Sequence, residues 1–136
     1  MKRNCYLLIM IGLMIFSFSS CEPDKDDDNA DLRDKFVGTW RFNESEAKSD
    51  LAFYTVEITK DAGNSTQVLL KNFGRIGNNT VEGIVTANRI TVDKQTRGSI
   101  EVSGIGNSAS NTRMNWTYTI NDGANEETFT AVADKQ

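Results

Sequence analysis

From about residue 36 onward, short runs of alternating apolar and polar residues recur at roughly ten-residue spacing, separated by Gly, Asn and Asp. A period of two marks a strand with one buried face, whereas a helix repeats its apolar residues every three to four positions. No stretch between the runs has the length or the periodicity of a helix that crosses a sheet. Neighbouring strands must then be joined by tight turns and lie antiparallel.

The first run, 36–42, sets Phe36, Gly38, Trp40 and Phe42 against Val37, Thr39 and Arg41 and opens the folded domain. Residues 29–35 before it read as a helical turn, with Leu32 and Phe36 on one face. Further strands are expected over 51–60 (Tyr54, Val56 and Ile58 inward), 67–73 and 80–86. Others follow over 89–96 (Ile90, Val92 inward), 99–105 (Ile100, Val102 inward), 111–121 and 127–133. The run at 111–121 is the cleanest, with Met114, Trp116, Tyr118 and Ile120 on one side. Asp61-Ala62-Gly63-Asn64, Ala87-Asn88 and Asp122-Gly123 carry turn chemistry, and 74–79 and 106–110 read as loops. The expected fold is all-β. Closing eight strands into an antiparallel up-and-down barrel removes both edges and leaves an interior sized for side chains or one small ligand. A two-sheet β-sandwich is the alternative.

The N-terminus reads as an address. Residues 1–20 have a basic start (Lys2, Arg3), an apolar stretch from Tyr6 to Phe18, and small residues before Cys21. The apolar part is short for a membrane span, and charge follows at once, which is the pattern of a cleaved secretory signal. Residues 21–34 form an acidic linker: seven acids against two bases between Glu22 and Asp34. The domain from 35 to 136 is nearly balanced, with 11 bases and 12 acids, so no basic stripe exists to track nucleic-acid phosphates.

The ending Phe18-Ser19-Ser20-Cys21 resembles a bacterial lipobox, with Phe18 standing where Leu is usual. The resemblance implies a lipid-modified Cys21 as mature N-terminus and membrane attachment through more than one acyl chain. The residues after it, Glu22-Pro23-Asp24-Lys25-Asp26-Asp27-Asp28, resemble the acidic export signal of Bacteroidetes-type surface lipoproteins. That implies an outer-membrane lipoprotein at the cell surface, with the periplasmic face as the alternative. Gly38-Thr39-Trp40 after a short helical lead-in resembles the start of a lipocalin or related calycin barrel. The resemblance implies that Trp40 plugs the closed end of the barrel, under a late arginine, of which Arg113 is the nearest. Asn72-Phe73-Gly74 and Asn115-Trp116-Thr117-Tyr118-Thr119 resemble small lipoprotein domains of unassigned function from the same bacterial group.

Site chemistry is sparse. Histidine is absent, and both cysteines, Cys5 and Cys21, precede the domain, which removes the usual base, thiolate zinc sites and a cysteine nucleophile from it. Asp24, Asp26 and Asp28 have calcium-loop spacing, but Lys35 stands where a bidentate Glu is needed. No serine elbow or phosphate loop occurs, and Glu57, Asp93 and Glu101 read as solvated surface. Neither a cofactor nor a metal is expected. The expected role is a non-catalytic binding module for a glycan, small ligand or protein. Phe53 and Phe73 are the aromatics that fit the core pattern least and are the candidate contacts. A structural or accessory subunit of a surface assembly is the alternative.

Overall fold

The computed structural model describes residues 30–45 and 53–136. Eight strands follow one another: β1 Gly38–Glu44, β2 Phe53–Lys60, β3 Gln67–Lys71, β4 Thr80–Thr86, β5 Arg89–Arg97, β6 Ile100–Ser110, β7 Arg113–Asn121 and β8 Glu126–Lys135. Each pairs antiparallel with the next, and β8 returns to β1 (Trp40↔Lys135 to Glu44↔Ala131), closing an up-and-down barrel. The barrel, and not the sandwich, is the fold.

The alternation places the side chains as expected. Trp40, Phe42, Tyr54, Val56, Ile58, Val68, Leu70, Ile90, Val92, Met114, Trp116 and Tyr118 are all buried inside. Several boundaries move by one or two residues, and two differences bear on the interior. β3 stops at Lys71 because Asn72 takes a left-handed φ of 64°, and a 3-10 turn, Phe73–Arg75, follows. β6 runs on through 106–110, where a loop was expected, because its small residues pair with β7. Gly106 is required there, since a Cβ would lie 2.3 Å from the Trp116 indole.

One end of the barrel, the base, is sealed by the lead-in. Single-turn hydrogen bonds (Asp34 N to Asp31 O, Phe36 N to Arg33 O, both 2.9 Å) turn the chain so that Phe36 enters the core. The expectation that Leu32 shares this face is corrected: Leu32 is 56% exposed, and Arg33 is buried in its stead. The Arg33 Nη1 donates to the carbonyls of Asp61, Asn64 and Gln67 at 3.0, 2.9 and 3.2 Å, stitching the β2–β3 turn to the lead-in. The Trp40 Nε1 donates to the Phe36 carbonyl at 2.7 Å, which fixes the buried indole against the lead-in. Its covering cation is Lys135, 5.6 Å from the ring centroid, while Arg113 pairs with Asp134 at 2.7 Å. The Gln136 amide donates to Thr39 O at this same end.

The wall has one weak seam. β4 and β5 share only three main-chain register pairs, Ile84↔Thr91, Val85↔Ile90 and Thr86↔Arg89, and β5 bulges between Val92 and Gln95. Beyond these pairs, side chains replace the ladder. The Glu82 N–H donates to Gln95 Oε1 and Gln95 Nε2 to the Glu82 carbonyl, both at 2.9 Å, and Arg97 Nε donates to Thr80 O at 2.7 Å.

Candidate functional site

The end opposite the base is the mouth, formed by the end of β1, the 3-10 turn and the β7–β8 hairpin. A cleft of about 200 Å³ opens here, lined by Glu44, Gly74, Arg75, Tyr118, Asp122, Asn125, Glu127 and Phe129 among others. Its floor is a polar circuit. The Tyr54 hydroxyl donates to the Tyr118 hydroxyl at 3.1 Å, and Tyr118 donates to the Glu44 carboxylate. Arg75 closes the circuit with Nε on Oε1 and Nη2 on Oε2, at 3.3 and 3.1 Å. Its guanidinium also lies 4.7 Å from the Tyr54 ring centroid.

Burial explains the charges in this circuit. The Glu44 side chain is only 9% exposed, and a carboxylate so enclosed needs its guanidinium and hydroxyl partners. Burial holds both phenols far above their usual range; for Tyr54 its bond to Tyr118 opposes the shift, and for Tyr118 the Tyr54 and Glu44 oxygens add to it. Both tyrosines therefore remain neutral donors at physiological pH. Arg75 is held protonated by Glu44. On the far wall, the amides of Asn125 and Ala124 bond Asp122 and hold its carboxyl below the usual range. The side chains of Asn125 and Glu127 make no hydrogen bond within the described residues, and Phe129 stacks on Tyr118 with centroids 5.4 Å apart. The cleft thus offers an aromatic edge, an amide and carboxylates. Among the described residues no group of three or more Cys, Asp or Glu is placed to hold a metal ion.

The anticipated contacts do not converge on this cleft. Phe53 lies on the outer wall, 46% exposed, with the Arg41 guanidinium 4.0 Å from its ring centroid. Phe73 stands inside, fully buried, and the expectation that it lies outside the core is corrected. The 3-10 turn swings its ring inward against Trp116 and Tyr118, at 4.9 and 5.2 Å. Cys21 and the aspartates at 24, 26 and 28 lie outside the described residues. Sequence reasoning singled out none of the cleft residues, neither the circuit of Glu44, Arg75 and Tyr118 nor Asn125, Glu127 and Phe129. The only available signal was Tyr118 itself, since an inward tyrosine needs a partner for its hydroxyl.

The molecule is defined by its fold and its mouth: an eight-stranded up-and-down β-barrel, filled inside and polar at one end. No protein-family model matches the chain. No curated protein shows significant similarity to it either.

Proposed function

We propose that this protein is a lipid-anchored, non-catalytic binding module at the bacterial outer membrane, facing the cell surface, that takes a glycan at the mouth of its barrel. The observation that carries the reading is the cleft of about 200 Å³, with Phe129 on one wall beside the unengaged side chains of Asn125 and Glu127. Carboxylate and amide groups bond vicinal hydroxyls, and an aromatic ring packs on the apolar face of a sugar ring. The filled interior supports a surface cleft over a deep pocket as the contact. Membrane attachment through Cys21 rests on the lipobox-like residues.

The test is glycan-array binding by the protein, with Glu127→Gln and Phe129→Ala as variants. At least a tenfold loss on either change, with an unchanged melting temperature, is expected. Binding that survives both changes, or no glycan bound at all, overturns the assignment. The outer row Ile84, Thr91, Ile105, Thr117 and Thr130, uncharged across five strands, favours the second reading, an accessory subunit of a surface assembly. Stoichiometric co-purification with one fixed outer-membrane protein, lost on Ile105→Asp, would support it.

A further inference from the structure

Besides Phe36 of the lead-in, one ring of the barrel interior does not come from a strand. Phe73 belongs to the connection between β3 and β4, yet it is fully buried, 4.9 Å from Trp116, 5.2 Å from Tyr118 and 6.1 Å from Phe42 by ring centroids. The backbone that delivers it is left-handed at Asn72, Gly74 and Arg75, with φ of 64°, 66° and 64°. Two of these carry a Cβ, for which the conformation is unfavourable, and strain of this kind gathers at ligand clamps and switch regions.

Trp116, whose ring packs on Phe73, carries an unpaired donor. Trp116 is 2% exposed, and its indole N–H has no hydrogen-bond partner, the one such buried side-chain group among the described residues. Native interiors rarely leave a buried donor unpaired. The other tryptophan, Trp40, bonds its N–H to Phe36 O at 2.7 Å, so the unpaired N–H is particular to Trp116. The wall behind is held back by glycines. A Cβ at Gly104 would lie 3.2 Å from the Phe73 ring, and one at Gly106 2.3 Å from the Trp116 indole.

We infer that the space Phe73 fills is a second binding site, for a flat aromatic molecule bearing one hydrogen-bond acceptor such as an aryl carbonyl. Phe73 supplies the ring that such a molecule would place against Phe42, Trp116 and Tyr118, but it brings no acceptor, and the Trp116 N–H is left without one. The Tyr54 and Tyr118 hydroxyls do not compete for the carbonyl, being engaged with each other and with Glu44. Entry requires the 72–79 segment to swing out, and its charged tie is the partly exposed Arg75–Glu44 pair. This site lies beneath the mouth cleft, and its ring contacts Phe42, Trp116 and Tyr118 are distinct from the proposed glycan contacts Asn125, Glu127 and Phe129.

The test uses acetophenone, which has the ring and the carbonyl, against ethylbenzene, which has the ring alone. Each is titrated into the 15N-labelled full chain while both indole N–H resonances are followed by NMR. Acetophenone is expected to shift the Trp116 resonance and leave Trp40 in place, and ethylbenzene to leave both. Phe73→Ala removes the occupant and is expected to tighten acetophenone at least tenfold while keeping the preference over ethylbenzene. Should that variant fail to fold, Phe73→Leu is expected to tighten it by a smaller factor. An unmoved Trp116 resonance, or equal binding of the two probes, overturns the inference. So does a response confined to the variants, which marks an engineered cavity only.

Discussion

Two phenols under the mouth make the molecule sensitive to alkali. Because burial raises the folded-state pKa of Tyr54 and Tyr118 above their unfolded value near 10, their contribution is complete below about pH 10 and is lost as pH rises beyond it. Asp31 works in the opposite sense. Its hydrogen bonds from Arg33 hold its carboxyl well below the usual range, so its contribution is present above about pH 4 and fades as pH falls further. Urea midpoints measured across this range should therefore plateau between the two limits. Tyr118→Phe should flatten the alkaline limb while lowering the plateau by about 1–3 kcal/mol, because Glu44 loses a buried donor. An unchanged alkaline limb in that variant would mean that Tyr118 does not govern it.

At the level of elements, the weak joint is the β4–β5 seam, where the carboxamide of Gln95 stands in for a peptide unit. Gln95→Ala should cost about 1 kcal/mol, with faster hydrogen exchange at the Glu82 amide and no change at the well-paired β6–β7 ladder. Slow exchange at Glu82 in the variant would show that the strands close up unaided. The strands themselves were legible in the sequence because Trp40, Val56, Ile90 and Trp116 each sit at even spacing within their run, and an inward face demands that. What was not legible depended on distant partners. The tail of β6 has no apolar alternation, and only the Trp116 ring across the ladder explains why Gly106 must stand there. Arg33 displaced Leu32 from the inside because three carbonyls of a turn some thirty residues later converge on its guanidinium. Phe73 sits among Asn and Gly in the chain, as a loop residue would, and nothing local shows that its ring turns inward. The mouth circuit was equally hidden: Arg75 and Tyr118 lie 31 and 74 positions from Glu44, and only the closed barrel and the 3-10 turn bring them together.

For the whole molecule, the proposed division into lipid anchor, linker and barrel predicts a separable attachment. Cys21→Ala should release the protein from the membrane fraction with the barrel's melting temperature intact, since the described hydrogen bonds that turn the lead-in into the base run from Asp31 to Val37. Unchanged retention in the membrane fraction would sink the lipid anchor. A thermal midpoint that falls with release would instead tie the linker to the fold.

The lead-in and the final residue of β8 emerge together at the base, and this bears on how the barrel carries load. A pull between residues 30 and 136 meets β1 and β8 at the same end and opens their five register pairs one after another, like a zip. A pull from residue 30 to the β7–β8 turn at Gly123 runs along the strands. It strains those five pairs and the six between β1 and β2 together, because ladder bonds lie across the strand direction. Single-molecule stretching should therefore find a higher rupture force for the second geometry, and equal forces would refute it. A tether fixed at the base and loaded at the mouth would be pulled in the direction in which this barrel yields last.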